Sequence, residues 1–349
     1  MNVSKKALVI GGTGQVGRAA AQRLLADGWA VTVAHRQSGA IAEGVTSVRI
    51  DRQDDAAMDD LLGQGFDVVV DLLAFRAVHS AQLLRNAGSI GSVVMMSSAA
   101  VYQDGQGRTL QGVTSEDNAP AFSGPLSEGA QAVEPDSTTY AGNKRGVELA
   151  LLTSGIPTTV LRPAGIHGAF SPQPREWFYV RRILDGRRTF VLGYGGRSSM
   201  HPVSTENLAQ MIALSAQKPG QGVFNAGDPG LPDERAIASA IAEVMGVQIT
   251  QILLPGMAPI ASPWSLPTPF FLCTERAERL LGYQPVTTYR QAALANVESI
   301  IAEHRAGTFL TRLSDRFGPR DLGCQVFVGG GAGPFDYAAE DKAIAGLLN

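Results

Sequence analysis

Tyr140 and Lys144 stand four residues apart in the segment Tyr140-Ala-Gly-Asn-Lys144. On a helix that spacing puts a phenol and an ammonium on one face. A phenol with a reference pKa of about 10 is a poor base at neutral pH. A nearby ammonium favours the phenolate and lowers that pKa. Such a pair suits proton transfer at the oxygen of a carbonyl/alcohol couple: reduction needs a donor there, oxidation an acceptor. A hydroxyl beside it would hydrogen-bond the same oxygen and stabilise charge in the transition state. Ser97 and Ser98, in Met96-Ser-Ser-Ala-Ala-Val-Tyr102, are the candidates, and the residues alone do not separate them. A Tyr-x-x-x-Lys is frequent by chance, so its weight comes from where the chain places it.

The elements around it alternate. Lys6–Ile10, Ala30–Ala34, Ser47–Ile50, Phe66–Leu72 and Ser92–Met96 read as strands; Gly17–Asp27, Ala56–Leu62 and Val78–Ala87 read as helices between them. Strands alternating with helices at this spacing imply βαβ units and a parallel sheet. The run Asp67-Val-Val-Val-Asp-Leu-Leu73 suits a parallel strand buried on both faces. The serine pair ends the fifth strand, and Tyr140–Thr153 is a helix after it, so both fall at the carboxyl edge where such sheets bind ligands. Further on, Thr158–Arg162, Gly222–Asn225 and Gln248–Leu254 read as strands. Trp177–Leu184, Glu206–Ala216, Asp233–Met245, Thr274–Leu281 and Tyr289–Arg305 read as helices, and two short strands flank the glycines of 186–203.

Between the first strand and first helix runs Gly11-Gly-Thr13-Gly14-Gln15-Val16-Gly17, with glycines spaced GxxGxxG. Backbone must approach a pyrophosphate closely there, and the helix N-terminus aims its N–H groups at the anion. This is a dinucleotide-binding turn in its proper context. An NAD site usually carries an acid at the end of the second strand, for the ribose 2′-hydroxyl. Here the sequence reads Val33-Ala-His35-Arg36. Arg36, with His35, suits a 2′-phosphate instead. The reading favours NADP(H), with NAD(H) the alternative. Asp51, after the third strand, suits the adenine amino group or a turn cap, and Arg52 beside it is counted with the cofactor residues.

Bulk properties narrow the field. The 349 residues allow one large or two medium domains, 44% are apolar and 17% charged. A net charge of −3 without a long basic run gives no footprint for nucleic acid. No apolar run is long enough to span a membrane, and Ala7–Ile10 is too short for a signal peptide. The five His and two Cys show no metal-ligand spacing. Cys273 and Cys324 lie far apart, which suggests a reduced cytoplasmic setting rather than a disulfide framework.

Taken in order, VIGGTGQVG, VVVDLLAF, VVMMSSAAVY, YAGNK, VLRPAGIHG, HPVSTENLA, GVFNAGD and LLGYQP resemble the extended short-chain dehydrogenase/reductase superfamily, in its NAD-dependent epimerase/dehydratase-like branch. The resemblance covers roughly residues 5 to 300. It implies an α/β fold: a Rossmann doubly wound parallel sheet with a smaller C-terminal α/β substrate-binding domain. The first domain would be 1–165, with parts of 200–228 returning to it, and the second 166–349. It implies Ser98 as the catalytic hydroxyl, four residues before the tyrosine of SSAAVY, with Tyr140 as acid/base and Lys144 as its modulator and a ribose contact. It also implies that Leu72, Leu73 and Ala74, running on to Phe75, pass under the adenosine and ribose. Pro163, Gly165 and Ile166 would lie near the nicotinamide. His167 stands where such proteins more often have tyrosine. Dimers are common in the superfamily, which allows a homodimer.

The activity so implied is NAD(P)-dependent hydride transfer between the nicotinamide and a small carbonyl/alcohol substrate. The alternatives are a nucleotide-sugar epimerase or dehydratase with tightly bound NAD, for which Arg175, Arg181, Arg182, Arg187, Arg188 and Arg197 could meet a diphosphate, and a non-catalytic cofactor-sensing or binding protein. Ser98 and Tyr140 are 42 residues apart, longer than usual for the superfamily. Residues 103–137 show little periodicity and read as a substrate lid or a surface insertion. The tail 306–349 carries a glycine run and a weak helix over Ala338–Leu348, with no assigned role.

Overall fold

The structure is a computed structural model that describes residues 4–36, 39, 41–111, 113, 115–197, 200–309, 335 and 337–347. Its frame is a seven-stranded sheet, all pairs parallel, in the order β10-β6-β5-β4-β1-β2-β3. The strands are β1 (Lys6–Ile10), β2 (Ala30–His35), β3 (Thr46–Arg49), β4 (Val68–Asp71), β5 (Val93–Met96), β6 (Thr158–Pro163) and β10 (Gly222–Ala226). Strand order reverses between β1 and β4, and the crevice at that reversal is where sheets of this type hold dinucleotides. This is the doubly wound Rossmann-like α/β fold expected from the alternation of elements.

Side-chain alternation fills both faces. Ala7 and Val9 of β1 pack with α1 (Gln15–Ala26) and α6 (Thr205–Gln217), while Leu8 and Ile10 pack against α2 (Asp55–Leu62) and α4 (Tyr140–Leu152). Val68 and Val70 share the first face and Val69 the second, with α3 (Ala77–Arg85) completing that side. Nearly continuous apolar strands are the consequence of this two-sided burial.

A second core lies outside the sheet. Trp177, Tyr179 and Ile183 of α5 (Trp177–Leu184), Ile237 and Ile241 of α7 (Glu234–Val244), and Tyr289, Val297 and Ile300 of α9 (Tyr289–Arg305) cluster with Phe190 and Trp264. Two parallel strand pairs support it: β8 (Thr189–Leu192) with β11 (Thr250–Leu253), and β7 (Gly165–His167) with β9 (Pro202–Ser204). β10 and α8 (Glu275–Leu281) return to the sheet lobe. A further helix, α10 (Tyr337–Leu347), packs on α5 through Arg182 to Glu340, Arg187 to Asp341 and the Tyr337 hydroxyl to Asp185. The glycine run of the tail lies outside the described residues.

Residues 103–137 are not the structureless loop that their composition suggests. Asp104 gathers the segment by accepting from the backbone N–H groups of Gln106, Arg108 and Ala121 and from the Arg108 guanidinium. Tyr102 pairs with Ala132, and Leu126 with Leu272. Glu128 accepts from the Asn225 N–H at 2.9 Å, which anchors the segment to β10. A side chain that satisfies several backbone donors holds a turn-rich stretch without helix or strand periodicity.

Candidate active site

Four strand ends converge at the crevice. After β1 the chain turns through Gly11, whose φ of +89° suits glycine. α1 begins at Gln15 rather than at Gly17, because Gly14 already serves as its N-cap. A Cβ on Gly17 would lie 2.2 Å from the Gly11 carbonyl oxygen, so only glycine lets helix and turn meet. The result is a shallow cradle at a helix N-terminus, the geometry that receives a pyrophosphate. Thr13 accepts from Arg18 Nε at 2.9 Å through its carbonyl, Gln15 Nε2 donates to the Gly168 carbonyl, and Val16 packs against the sheet core. The residues therefore fit a dinucleotide.

At the end of β2, His35 is buried against the Ser47 hydroxyl at 2.7 Å, and Arg36 is exposed. Asp51 caps a turn by accepting from the Gln53 N–H and is exposed. Arg52 points inward instead: it forms a buried two-pronged pair with Asp71 at the end of β4 and donates to the His79 carbonyl. Its guanidinium thus holds the β4 end from below. Leu72 packs at the sheet core and Leu73 lies against Gly11, 3.0 Å from where a Cβ there would sit. Phe75 and Arg76 donate their N–H groups to His79 Nδ1, which fixes the start of α3. Burial, with Arg52 nearby, lowers the His79 pKa to about 4, so the ring stays a neutral acceptor.

The serines, inseparable by sequence, have different surroundings. Ser97 is buried and donates to Glu148 Oε1 at 2.5 Å. Glu148 also receives Arg162 Nε at 2.8 Å and Arg145 Nη1 at 3.0 Å. Burial alone would raise its pKa, but these donors, Arg162 foremost, bring it below the usual carboxylate range. Ser98 faces the other way. Its hydroxyl accepts from the Ala100 N–H at 3.1 Å and, beside the Tyr140 phenol, works to lower that phenol's pKa.

Asp136 places the head of α4. It accepts from Thr138 and Thr139, and Thr139 caps the Gly142 N–H at 3.0 Å. A Cβ on Gly142 would fall 1.8 Å from an Asp136 oxygen, so the glycine inside Tyr140-Ala-Gly-Asn-Lys144 is what lets this cap close. Tyr140 is 44% exposed and opens onto the crevice. Desolvation raises its pKa and the Ser98 hydrogen bond opposes that. Lys144 is buried behind it and donates to the carbonyls of Met96 at 2.7 Å and Ala74 at 3.1 Å. Burial lowers its pKa to about 7, against the pull of Asp71 and Glu148. One ammonium therefore ties the end of β5 and the chain after β4 to α4.

On the far wall, Pro163 pairs with Ala226, and Ile166 packs against the sheet core. Gly165 adjoins Trp264 so closely that a Cβ would lie 2.5 Å from the indole. His167 donates or accepts at Asp228 Oδ2 across 2.6 Å, and Asp228 Oδ1 receives the Ser204 N–H and the Asn207 amide. Sequence reasoning did not single out Asp136, Glu148 or Asp228. Only Glu148 left a trace, an acid one turn after Lys144 on an otherwise apolar helix face.

The chain belongs to the NAD dependent epimerase/dehydratase family, which matches residues 7–227. No curated protein gives a significant match. Among solved structures, it is similar to the UDP-N-acetylglucosamine 4-epimerase of Methanobrevibacter ruminantium M1 in complex with UDP-N-acetylmuramic acid, at 20% identity and a TM-score of 0.65 over 86% of this chain and 99% of that one. It is similar to the Bordetella bronchiseptica enzyme WbmH in complex with NAD+, at 19% identity and a TM-score of 0.64 over 86% and 99%. Pal from Bacillus thuringiensis superimposes with a TM-score of 0.62 at 19% identity over 85% and 99%. At these identities the likeness is one of fold. No helix among the described residues is long and apolar enough to cross a membrane.

Proposed function

We propose that the protein is a cytoplasmic NADP(H)-dependent oxidoreductase that interconverts a carbonyl and an alcohol on a small substrate. The observation that carries this is the placement of Ser98 beside Tyr140 at the head of α4, with the Lys144 amine held behind them by the Met96 and Ala74 carbonyls. The cradle of Gly11, Thr13, Gly14, Gln15, Val16 and Gly17 would hold the pyrophosphate, Leu72–Ala74 the adenosine side, and Pro163, Gly165 and Ile166 the nicotinamide side. When bound, the nicotinamide supplies or accepts the hydride. As the phenol, Tyr140 gives its proton to the carbonyl oxygen in reduction; as the tyrosinate, it takes the proton from the alcohol in oxidation. Ser98 Oγ donates a hydrogen bond to the same oxygen and stabilises its developing charge. Lys144, as an ammonium, favours the tyrosinate left after proton transfer.

Arg36 supports the choice of NADP(H). The β2 end carries no acid, His35 is engaged by Ser47, and Arg36 is exposed there. Four of the six arginines named for a nucleotide diphosphate are engaged elsewhere, which supports a substrate without one. Arg181 pairs with Asp185, Arg182 with Glu340, and Arg187 with Glu340 and Asp341, while Arg188 donates to the Ile183 carbonyl.

The second reading, a nucleotide-sugar epimerase or dehydratase, draws on the family and on the sugar-nucleotide enzymes of the same fold. Denaturation separates the two: release of stoichiometric NAD+ from the purified protein favours the second. Tyr140→Phe tests the shared chemistry. It should cut turnover by orders of magnitude and leave dinucleotide binding within about twofold. An unchanged rate removes Tyr140 from the reaction.

A further inference from the structure

Phe75 touches both halves of the proton-transfer pair. Its ring centroid is 4.1 Å from Lys144 Nζ and 6.4 Å from the Tyr140 ring centroid, with the two rings tilted by 42°. The ring is 38% exposed, so one side meets solvent at the mouth of the crevice and the other meets the ammonium. The backbone there is not free to swing, because Phe75 N–H donates to His79 Nδ1 at 2.9 Å.

We propose that Phe75 is a positioning residue that sets the charge state of Lys144 by keeping water off its Nζ. The inference rests on the reading that Lys144 serves Tyr140. An ammonium has three donors, and two of them reach the carbonyls of Met96 and Ala74. The phenyl ring, 4.1 Å from Nζ, covers the amine on a side from which a water could otherwise take the third. Two effects of the ring then oppose each other. Its face attracts the ammonium, which favours the charged form. Its bulk excludes solvent, which favours the neutral amine. At a buried amine the second prevails, in keeping with the fall of the Lys144 pKa to about 7.

The other charged neighbours come from elsewhere and do not depend on the ring. Asp71 at the end of β4 and Glu148 on α4 favour the ammonium, and Arg52 after β3 disfavours it. His79 on α3 is neutral near pH 7, and the Tyr140 ring centroid is 6.0 Å from Nζ. Phe75 is the neighbour that screens the amine from the mouth side without carrying charge.

The chain has five lysines, and Lys5, Lys6, Lys218 and Lys342 are all exposed while Lys144 is buried. Protein labelled with [13C,15N]-lysine, free of cofactor, therefore gives one outlying side-chain signal, assigned with Lys144→Gln. Its pH titration is the readout. Phe75→Ala should raise the midpoint by at least one unit, a tenfold gain in proton affinity. Phe75→Leu keeps the cover and loses the ring face, so its midpoint should stay at or below that of the wild type. Phe75→Ser is a second truncation should the alanine variant fold poorly. A midpoint unchanged in both truncations overturns the proposal, as does a wild-type midpoint near that of the exposed lysines. The pH profile of kcat/KM, measured on the same variants, separates this proposal from the functional one. A titration that moves while the rate profile stays upholds the role of Phe75 and sinks the use of Lys144 in the chemistry.

Discussion

Ser97 and Ser98 are adjacent in the chain and serve opposite ends of α4: Ser97 donates to Glu148 in the buried second half, whereas Ser98 meets Tyr140 at the exposed head. On the proposed reading, the pair divides support from chemistry. Ser97→Ala removes one donor from a buried carboxylate, so it should cost stability of about 1–3 kcal/mol with turnover per folded molecule retained. Ser98→Ala should do the reverse, lowering kcat by about 100-fold or more with the melting temperature held. Thermal melts and steady-state kinetics on both variants check the division, and equal effects on both measures would refute it.

On the proposed reading, Arg36 sets the cofactor preference. Arg36→Ala loses a charge-assisted contact to a 2′-phosphate, so affinity for NADPH should drop by about 10- to 100-fold. Affinity for NADH should change little. Fluorescence titration with both dinucleotides reads the difference, and equal losses would take Arg36 away from the phosphate.

His79 gives the fold an acid-sensitive point. Its folded pKa of about 4 lies below the ordinary 6.5, so between those values the unfolded chain binds more protons. Stability from this group is therefore full above pH 6.5 and falls as the pH drops towards 4, by at most about 3 kcal/mol. Protonation also withdraws the acceptor for the N–H groups of Phe75 and Arg76. Denaturant melts across pH 4–7 should show the decline, and His79→Gln should flatten it. A slope identical in the variant would assign the decline to other groups.

The α10 helix is held by a buried charge. Arg182 is fully buried and pairs with Glu340, and its guanidinium stacks on Phe178 at 3.6 Å. Glu340→Ala should destabilise the second lobe by about 3–5 kcal/mol or release α10 altogether. Limited proteolysis of residues 337–347 together with a thermal melt distinguishes these, and a variant that matches the wild type in both would deny the pair any role.

The sheet was legible because its physics is local. Apolar runs such as Val68–Val70 must be buried on both faces, and the glycine turn marks the first βα junction. The phenol and ammonium were legible as one helical turn. The rest depends on partners far apart in sequence. Asp104 looks like any loop acid until Ala121, 17 residues on, brings it a backbone donor. His167 and Asp228 are 61 residues apart, and nothing near either announces the other. Arg52 follows an exposed Asp51 and reads as a surface cofactor contact, yet Asp71, 19 residues later, draws it inside. Of the short strands, β8, β9 and β11 fall where the sequence placed them, whereas β7, three residues long, is too short for periodicity to show.

The Gln15 amide reaches across from the first turn of α1 to the Gly168 carbonyl, and Arg18, one turn later, lies over the Phe170 ring at 4.6 Å. Phe170 holds a φ of 60°, uncommon for a phenylalanine. The start of α1 and the loop leading into the second lobe thus share a joint. A ligand that settles one side of that joint settles the other, and thermodynamic reciprocity fixes the terms. Whatever factor the dinucleotide adds to the grip on substrate, the substrate returns to the dinucleotide.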